Sequence, residues 1–202
     1  MEQLKTWVDF PLALLLLVVT GPIMLFAMFL VKLTSRGPAI YKQERVGRAG
    51  VVFTIYKIRT MSHECESITG PRWSIPGDPR ITPLGQVLRL LHIDELPQLI
   101  NVLKGDMALI GPRPERPEIC KELRRSIANY DRRHMVKPGI TGFAQIHLPP
   151  DTSIQSVKNK LLYDRYYISR MGLVLDVYIL ACTLLKVLHL RSLYVRKPRR
   201  PE

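Results

Sequence analysis

Hydrophobic and polar positions alternate in three regimes along the chain. In the first, residues 10–31 run 22 positions without a charge, and at about 1.5 Å per residue such a helix reaches ~33 Å, enough to cross a bilayer core. Gly21-Pro22 sits at the midpoint. Proline removes an amide donor and clashes with the carbonyl four residues back, so the pattern predicts a kink or break there. A kinked span and a helix that returns to its own face both satisfy the pattern. Basic residues flank it on both sides, Lys5 before and Lys32, Arg36, Lys42, Arg45 and Arg48 after, which favours keeping both ends on the cytoplasmic side. A cleaved signal peptide fits poorly, because the run is too long and no small-x-small site follows it.

The second regime is mixed. Residues 39–46 and 51–58 are rich in β-branched and aromatic side chains around Gly47-Arg48-Ala49-Gly50, which predicts a β-hairpin. Residues 62–82 carry the glycines and prolines of a loop. Thr82-Pro83 predicts a helix start, with Leu84, Val87, Leu88 and Leu91 spaced for one face. A short helix over 95–104 should stop at Gly105. An extended proline-rich stretch over 107–117, a helix over 117–133, a loop over 136–152 and a helix over 153–170 complete this part. The third regime, residues 171–190, is apolar again, as in a core helix or one lying in a membrane interface. A basic tail follows it, with Arg191, Arg196, Lys197, Arg199 and Arg200. These segments predict an α+β protein, mainly helical with one small hairpin.

Charge narrows the partners. Thirty Lys and Arg against 17 Asp and Glu give a formal +13, which calls for an anionic partner: nucleic acid, membrane surface or phosphorylated substrate. The basic residues lack interleaved stacking aromatics and no helix carries a base-reading face, which speaks against nucleic acid. Cys65, Cys120 and Cys182 are odd in number and far apart, so a disulfide scaffold and a zinc ribbon are excluded. The five histidines show no ligand spacing.

Phosphate-loop, dinucleotide, zincin and serine-hydrolase motifs are absent from the sequence. What remains is one acidic pair, Asp94-Glu95, in Asp94-Glu95-Leu96-Pro97-Gln98-Leu99, among clusters of Arg, Gly and Pro. Neighbours on a helix point about 100° apart, so the two carboxylates cannot share one target from mid-helix. At a helix entrance set by Pro97, one of them can stay ionised and act as a nucleophile toward phosphorus. An anion attacking a phosphate needs cations around it. Lys57, Arg59, Arg80, Arg89 and Arg113 are the candidates, and Mg²⁺ on carboxylate and phosphate oxygens would supply the rest.

These strings together resemble the bacterial sugar transferases, the small monotopic phosphoglycosyl transferases. The resemblance covers nearly the whole chain. It rests on Ser35-Arg36-Gly37-Pro38, Gln43-Glu44-Arg45-Val46-Gly47, Tyr56-Lys57-Ile58-Arg59-Thr60-Met61, Asp78-Pro79-Arg80-Ile81-Thr82, the 94–99 and 101–107 strings, Gly111-Pro112-Arg113-Pro114 and Lys137-Pro138-Gly139-Ile140-Thr141-Gly142. It implies a re-entrant membrane helix over 1–36 broken at Gly21 and Pro22, a catalytic domain over 37–190 on the cytoplasmic face of the bacterial inner membrane with interfacial amphipathic helices, and the basic tail over 191–202. It implies Asp94 as the nucleophile toward a UDP-sugar donor and polyprenol phosphate as the acceptor, with UMP released. Glu95 would join Asp94 in binding Mg²⁺ or assist proton handling, and the five basic residues would bind phosphate. Membrane lipid is an expected partner, nucleic acid is not, and homo-oligomerisation stays open. An anionic-lipid or nucleic-acid binding module and an inactive scaffold of a polysaccharide export complex are the competing readings. One departure stands out: Ala144-Gln145 is followed by Ile146-His147-Leu148-Pro149, where many relatives carry Asn-Gly-Arg.

Overall fold

A computed structural model describes residues 2–63, 65, 70, 73, 75 and 77–188. The basic tail, His189 and the rest of 189–202 lie outside the described residues. Helix α1 spans Glu2–Thr34; strands β1 (Ile40–Val46) and β2 (Val52–Ile58) form the hairpin, in antiparallel register from Ile40 opposite Ile58 to Val46 opposite Val52. There follow α2 (Pro83–Leu90), α3 (Gln98–Lys104), β3 (Ala108–Ile110), α4 (Pro117–Ser126), β4 (Gly139–Thr141), α5 (Phe143–His147), α6 (Ile154–Ser169) and α7 (Leu173–Val187).

Local chemistry explains most boundaries. The Thr82 hydroxyl accepts the Gly85 amide at 3.0 Å and Pro83 fills the first turn of α2, as the sequence predicts. Gly85 is obligatory there, since a Cβ would stand 2.1 Å from the Thr60 carbonyl oxygen. Ser153 caps α6 through a reciprocal bond pair with Ser156. Gly105, at φ 83°, ends α3. The segment 107–117 and the loop over 136–152 differ from expectation, because β3 and β4 pair in parallel, Ala108 with Gly139 and Ile110 with Thr141. Three-residue strands carry no period for a sequence pattern to reveal. The helix expected over 117–133 ends at Ser126, and a separate 3-10 turn occupies Tyr130–Met135.

Helix α1 does not break at Gly21-Pro22. Helical backbone runs through Pro11 and Pro22, so each proline costs a hydrogen bond without interrupting the helix. Packing along its length holds it. Lys5, Asp9, Ala13, Met24, Ala27 and Val31 are all buried at helical spacing. Ala13 joins the largest core with Ile55, Leu99, Ile110 and Ile179, while Ala27 and Val31 join a second core with Ile58 and Leu88. Polar bonds pin the ends: Lys5 bonds Asp176 and donates to the Tyr167 hydroxyl at 2.6 Å, and Arg59 donates to the Ser35 carbonyl at 3.0 Å. The opposite face of α1 is apolar and exposed, with Val18 at 68% and Leu25 at 64%. Helix α7 is similar: Ile179 and Cys182 face the core while Val174, Val177 and Leu184 face out.

The free edge of β2 is closed by one side chain. Asn101, fully buried on α3, accepts the Tyr56 amide at 3.2 Å and donates to the Thr54 carbonyl at 2.7 Å. Asn101→Ala should lower stability by about 2–4 kcal/mol, since each orphaned buried group costs about 1–3 kcal/mol. Thermal unfolding in detergent checks this as a drop of roughly 5–10 °C; an unchanged Tm would mean that water replaces the amide.

Candidate active site

The acidic pair lies in a one-turn 3-10 helix, Ile93–Glu95, between α2 and α3. His92 enters it in the left-handed region, at φ 55°, which turns the chain sharply out of α2. Pro97 caps α3 rather than sitting inside it, so both carboxylates precede that helix. Glu95 accepts from Lys57 Nζ at 2.7 Å on Oε1, and from Arg113 Nη2 at 2.5 Å on Oε1 and Nη1 at 3.3 Å on Oε2. Lys57 comes from β2 and Arg113 from the loop after β3, so Glu95 clamps a strand and a distant loop together.

The electrostatics separate the pair. Asp94, 7% exposed, is pushed up to about 6 by burial and by the Glu95 charge, against the pull of Lys57, Arg89 and Arg113. Glu95 is half-buried, and Arg113 and Lys57 hold it well below the usual carboxylate range. Burial in turn lowers Lys57, whereas Glu95 raises Arg113. Neighbouring carboxylates with opposite shifts suit two roles, one held charged as a fixture and one poised for chemistry.

Of the predicted cations, Lys57, Arg89 and Arg113 therefore surround the acidic pair. Arg89 also donates from Nε to the Thr60 hydroxyl at 2.8 Å. Arg80 lies next to Arg89, but its Nε and Nη2 grip Asp78 at 2.9 and 2.6 Å in a buried pair that shapes the approach to α2. Arg59 uses only Nη2 to reach the Ser35 carbonyl and hydroxyl at the end of α1, and its buried Nε and Nη1 have no hydrogen-bond partner among the described residues. Among the described residues no three His, Cys, Asp or Glu side chains converge as a metal site. The donor set still fits Mg²⁺ in part, because that ion is commonly held by one or two carboxylates plus substrate phosphates. Asp94 fits such a role. Glu95 fits it poorly, with both oxygens already taken by Lys57 and Arg113.

Several residues escaped the sequence reading. Arg133 is buried, ion-paired with Asp164 at 2.9 Å, and donates to the Arg113 carbonyl at 2.9 Å. Lys5, Tyr167 and Asp176 form a buried cluster that also reaches the Ile110 carbonyl, one residue before Gly111. Charge inside an otherwise apolar stretch was the available signal for Asp176. For Arg133, one basic residue among several, there was none. His147, at the departure from the family pattern, bonds the Phe143 carbonyl at 2.8 Å and packs on the Phe143 ring, 4.5 Å between centroids. It closes α5, and Leu148 stands where the arginine of the Asn-Gly-Arg pattern would fall. The loop geometry depends on glycine: a Cβ at Gly139 would lie 2.0 Å from the Gly111 amide, so β4 can press against the start of the Arg113 loop only without a side chain there.

Comparison with known proteins places this architecture. The model of the family described as bacterial sugar transferase matches residues 1–190. A UDP-N-acetylgalactosamine-undecaprenyl-phosphate N-acetylgalactosaminephosphotransferase of Aeromonas hydrophila is 41% identical over 185 residues, 92% of this chain and 44% of that protein. An uncharacterized sugar transferase of Bacillus subtilis (strain 168) is 42% identical over 185 residues, 92% of this chain and 87% of that protein. A UDP-glucose:undecaprenyl-phosphate glucose-1-phosphate transferase of Xanthomonas campestris pv. campestris is 36% identical over 192 residues, 94% of this chain and 40% of that protein. The chain thus spans less than half the length of two of these three relatives. With a family match over nearly its full length, the chain belongs to the bacterial sugar transferase family.

Proposed function

We propose that the protein transfers a sugar-1-phosphate from a UDP-sugar to a polyprenol phosphate, through a covalent phosphosugar on Asp94. The observation that carries this reading is the asymmetric carboxylate pair: Asp94 buried and pushed up, Glu95 clamped by Lys57 and Arg113. An ionised Asp94 oxygen attacks the sugar-proximal phosphorus of the donor, the bond from that phosphorus to the UMP oxygen breaks, and UMP leaves. A phosphate oxygen of the polyprenol acceptor then attacks the same phosphorus and the aspartyl bond breaks, giving polyprenyl diphosphate sugar and free Asp94. Arg89, Arg113 and Lys57 stabilise the phosphate oxygens as charge builds on them. Mg²⁺, when bound beside Asp94, supplies further neutralisation of the donor diphosphate.

The exposed apolar faces of α1 and α7 supply the membrane contact, and the charge of +13 favours an anionic leaflet. Both ends of α1 are fastened to one domain, which supports a monotopic arrangement with the site at headgroup depth on the cytoplasmic face, where a water-soluble donor meets a lipid acceptor.

The test is UMP release by the purified protein given UDP-sugars, Mg²⁺ and undecaprenol phosphate, with mass spectrometry of the donor-treated protein for a sugar-phosphate adduct. Absence of UMP, or transfer within a single ternary complex with no adduct, sinks the reading; salt-sensitive lipid or nucleic-acid binding alone would favour a binding module. The pH profile has a fixed sign. Asp94 acts as the carboxylate and burial pushes it up to about 6, so UMP release should fall as the pH drops and the carboxylate is protonated. A rate that rises as the pH falls would exclude Asp94 as the titrating nucleophile.

A further inference from the structure

Arg113 is held from behind as well as in front. Arg133, 5% exposed in the turn after α4, directs Nη2 to the Arg113 carbonyl at 2.9 Å, ion-pairs with Asp164 of α6 at 2.9 Å, and bonds the Tyr130 hydroxyl through Nη1 at 3.1 Å. Asp164 is 2% exposed. A buried arginine–carboxylate pair is a poor device for stability alone, since apolar side chains of similar volume usually join two elements as well or better. An apolar pair could not donate to a main-chain carbonyl. The loop that receives this bond is Gly111-Pro112-Arg113-Pro114, and Pro114 confines Arg113 to extended backbone. A second arginine, Arg45, donates to the Pro114 carbonyl at 3.1 Å. The Arg113 backbone is thus fixed by the Pro114 ring on one side and by the Arg133 guanidinium from inside the protein, and its side chain reaches Glu95.

We propose that Arg133, held by Asp164, is a positioning residue: its bond to the Arg113 carbonyl sets the placement from which the Arg113 guanidinium grips Glu95 and meets the donor phosphates. This rests on the proposed function, in which Arg113 faces the phosphorus being transferred. Misplacing such a group by about 1 Å costs on the order of 10²-fold in rate, so a residue with no substrate contact can still govern turnover.

A double-mutant cycle on the full-length protein in nanodiscs, read as UMP release, tests it. Arg133→Met combined with Asp164→Leu removes both charges, leaves no buried ion unpaired, and is checked by thermal unfolding. If that variant does not fold, Arg133→Lys takes its place in the same cycle. The expected result is a loss of about tenfold or more in kcat/KM, divided between kcat and donor KM as in Arg113→Met. Combined with Arg113→Met, the pair variant should add less than about threefold to the loss. Losses that multiply, or a folded pair variant with near-wild-type kcat/KM, overturn the proposal. A wild-type protein that neither releases UMP nor forms an adduct overturns the proposed function and this inference with it, so the two failures are told apart by the wild-type control.

Discussion

Asp94→Asn is expected to abolish UMP release, by about 10⁴-fold or more, while the protein remains folded. Asparagine keeps the shape of the side chain and removes its anionic oxygen, so the first displacement has no nucleophile. The fold should tolerate this change, because the Asp94 carboxylate is buried and its ionised form is disfavoured there; a neutral amide relieves that penalty. The measurement therefore has two parts. Wild-type protein incubated with donor gains the mass of a sugar phosphate and the variant does not, while the variant's Tm stays equal or rises. Full turnover by the variant would place the nucleophile elsewhere.

Glu95→Gln should behave in the opposite way toward stability. We expect a loss of about 10²-fold in kcat, or ~2.7 kcal/mol of barrier, comparable to removing one preorganised donor from a charged transition state. Glu95 accepts from Lys57 and twice from Arg113. The amide brings an N–H₂ group against guanidinium or ammonium donors, so at least one cation loses its seat. Two partly buried cations then lack their counter-charge, and Tm should fall, in contrast to the Asp94→Asn protein. Adjacent carboxylates with opposite stability responses are the signature of one poised and one clamped group. A Glu95→Gln protein with normal kcat and Tm would show that Lys57 and Arg113 are placed by other means.

The hairpin, the cap at Thr82 and the glycine stop at Gly105 were legible because each is a local event, decided within a few residues. The acidic pair stood out because its surroundings were so basic. The division of labour between Asp94 and Glu95 was not legible, because it depends on Lys57 and Arg113 arriving from positions 38 and 18 residues away. Parallel pairing of β3 with β4 left no trace for a similar reason: three residues are too few for alternation, and the pairing depends on backbone contact at Gly111 and Gly139. The proline rule predicted a kink or break in α1; helical backbone continues through Pro22, with Met24, Ala27 and Val31 carrying the buried stripe beyond it. Sequence alone also could not show that Arg59 would bond Ser35 and Arg80 would pair with Asp78, since both contacts are set by the fold.

Helix α1 also decides how the protein can be handled and how it can evolve. Because Ala13, Ala27 and Val31 belong to the two cores that also seat β2, α2 and α3, trimming residues 1–35 would strip the lining from both and leave Lys5's partner Asp176 an uncompensated ion in the interior. A fragment without this helix loses part of both cores, and an unrelated hydrophobic leader in its place would not restore that packing. Extraction, crystallisation and domain-shuffling alike must carry the helix and the enzyme as one indivisible unit.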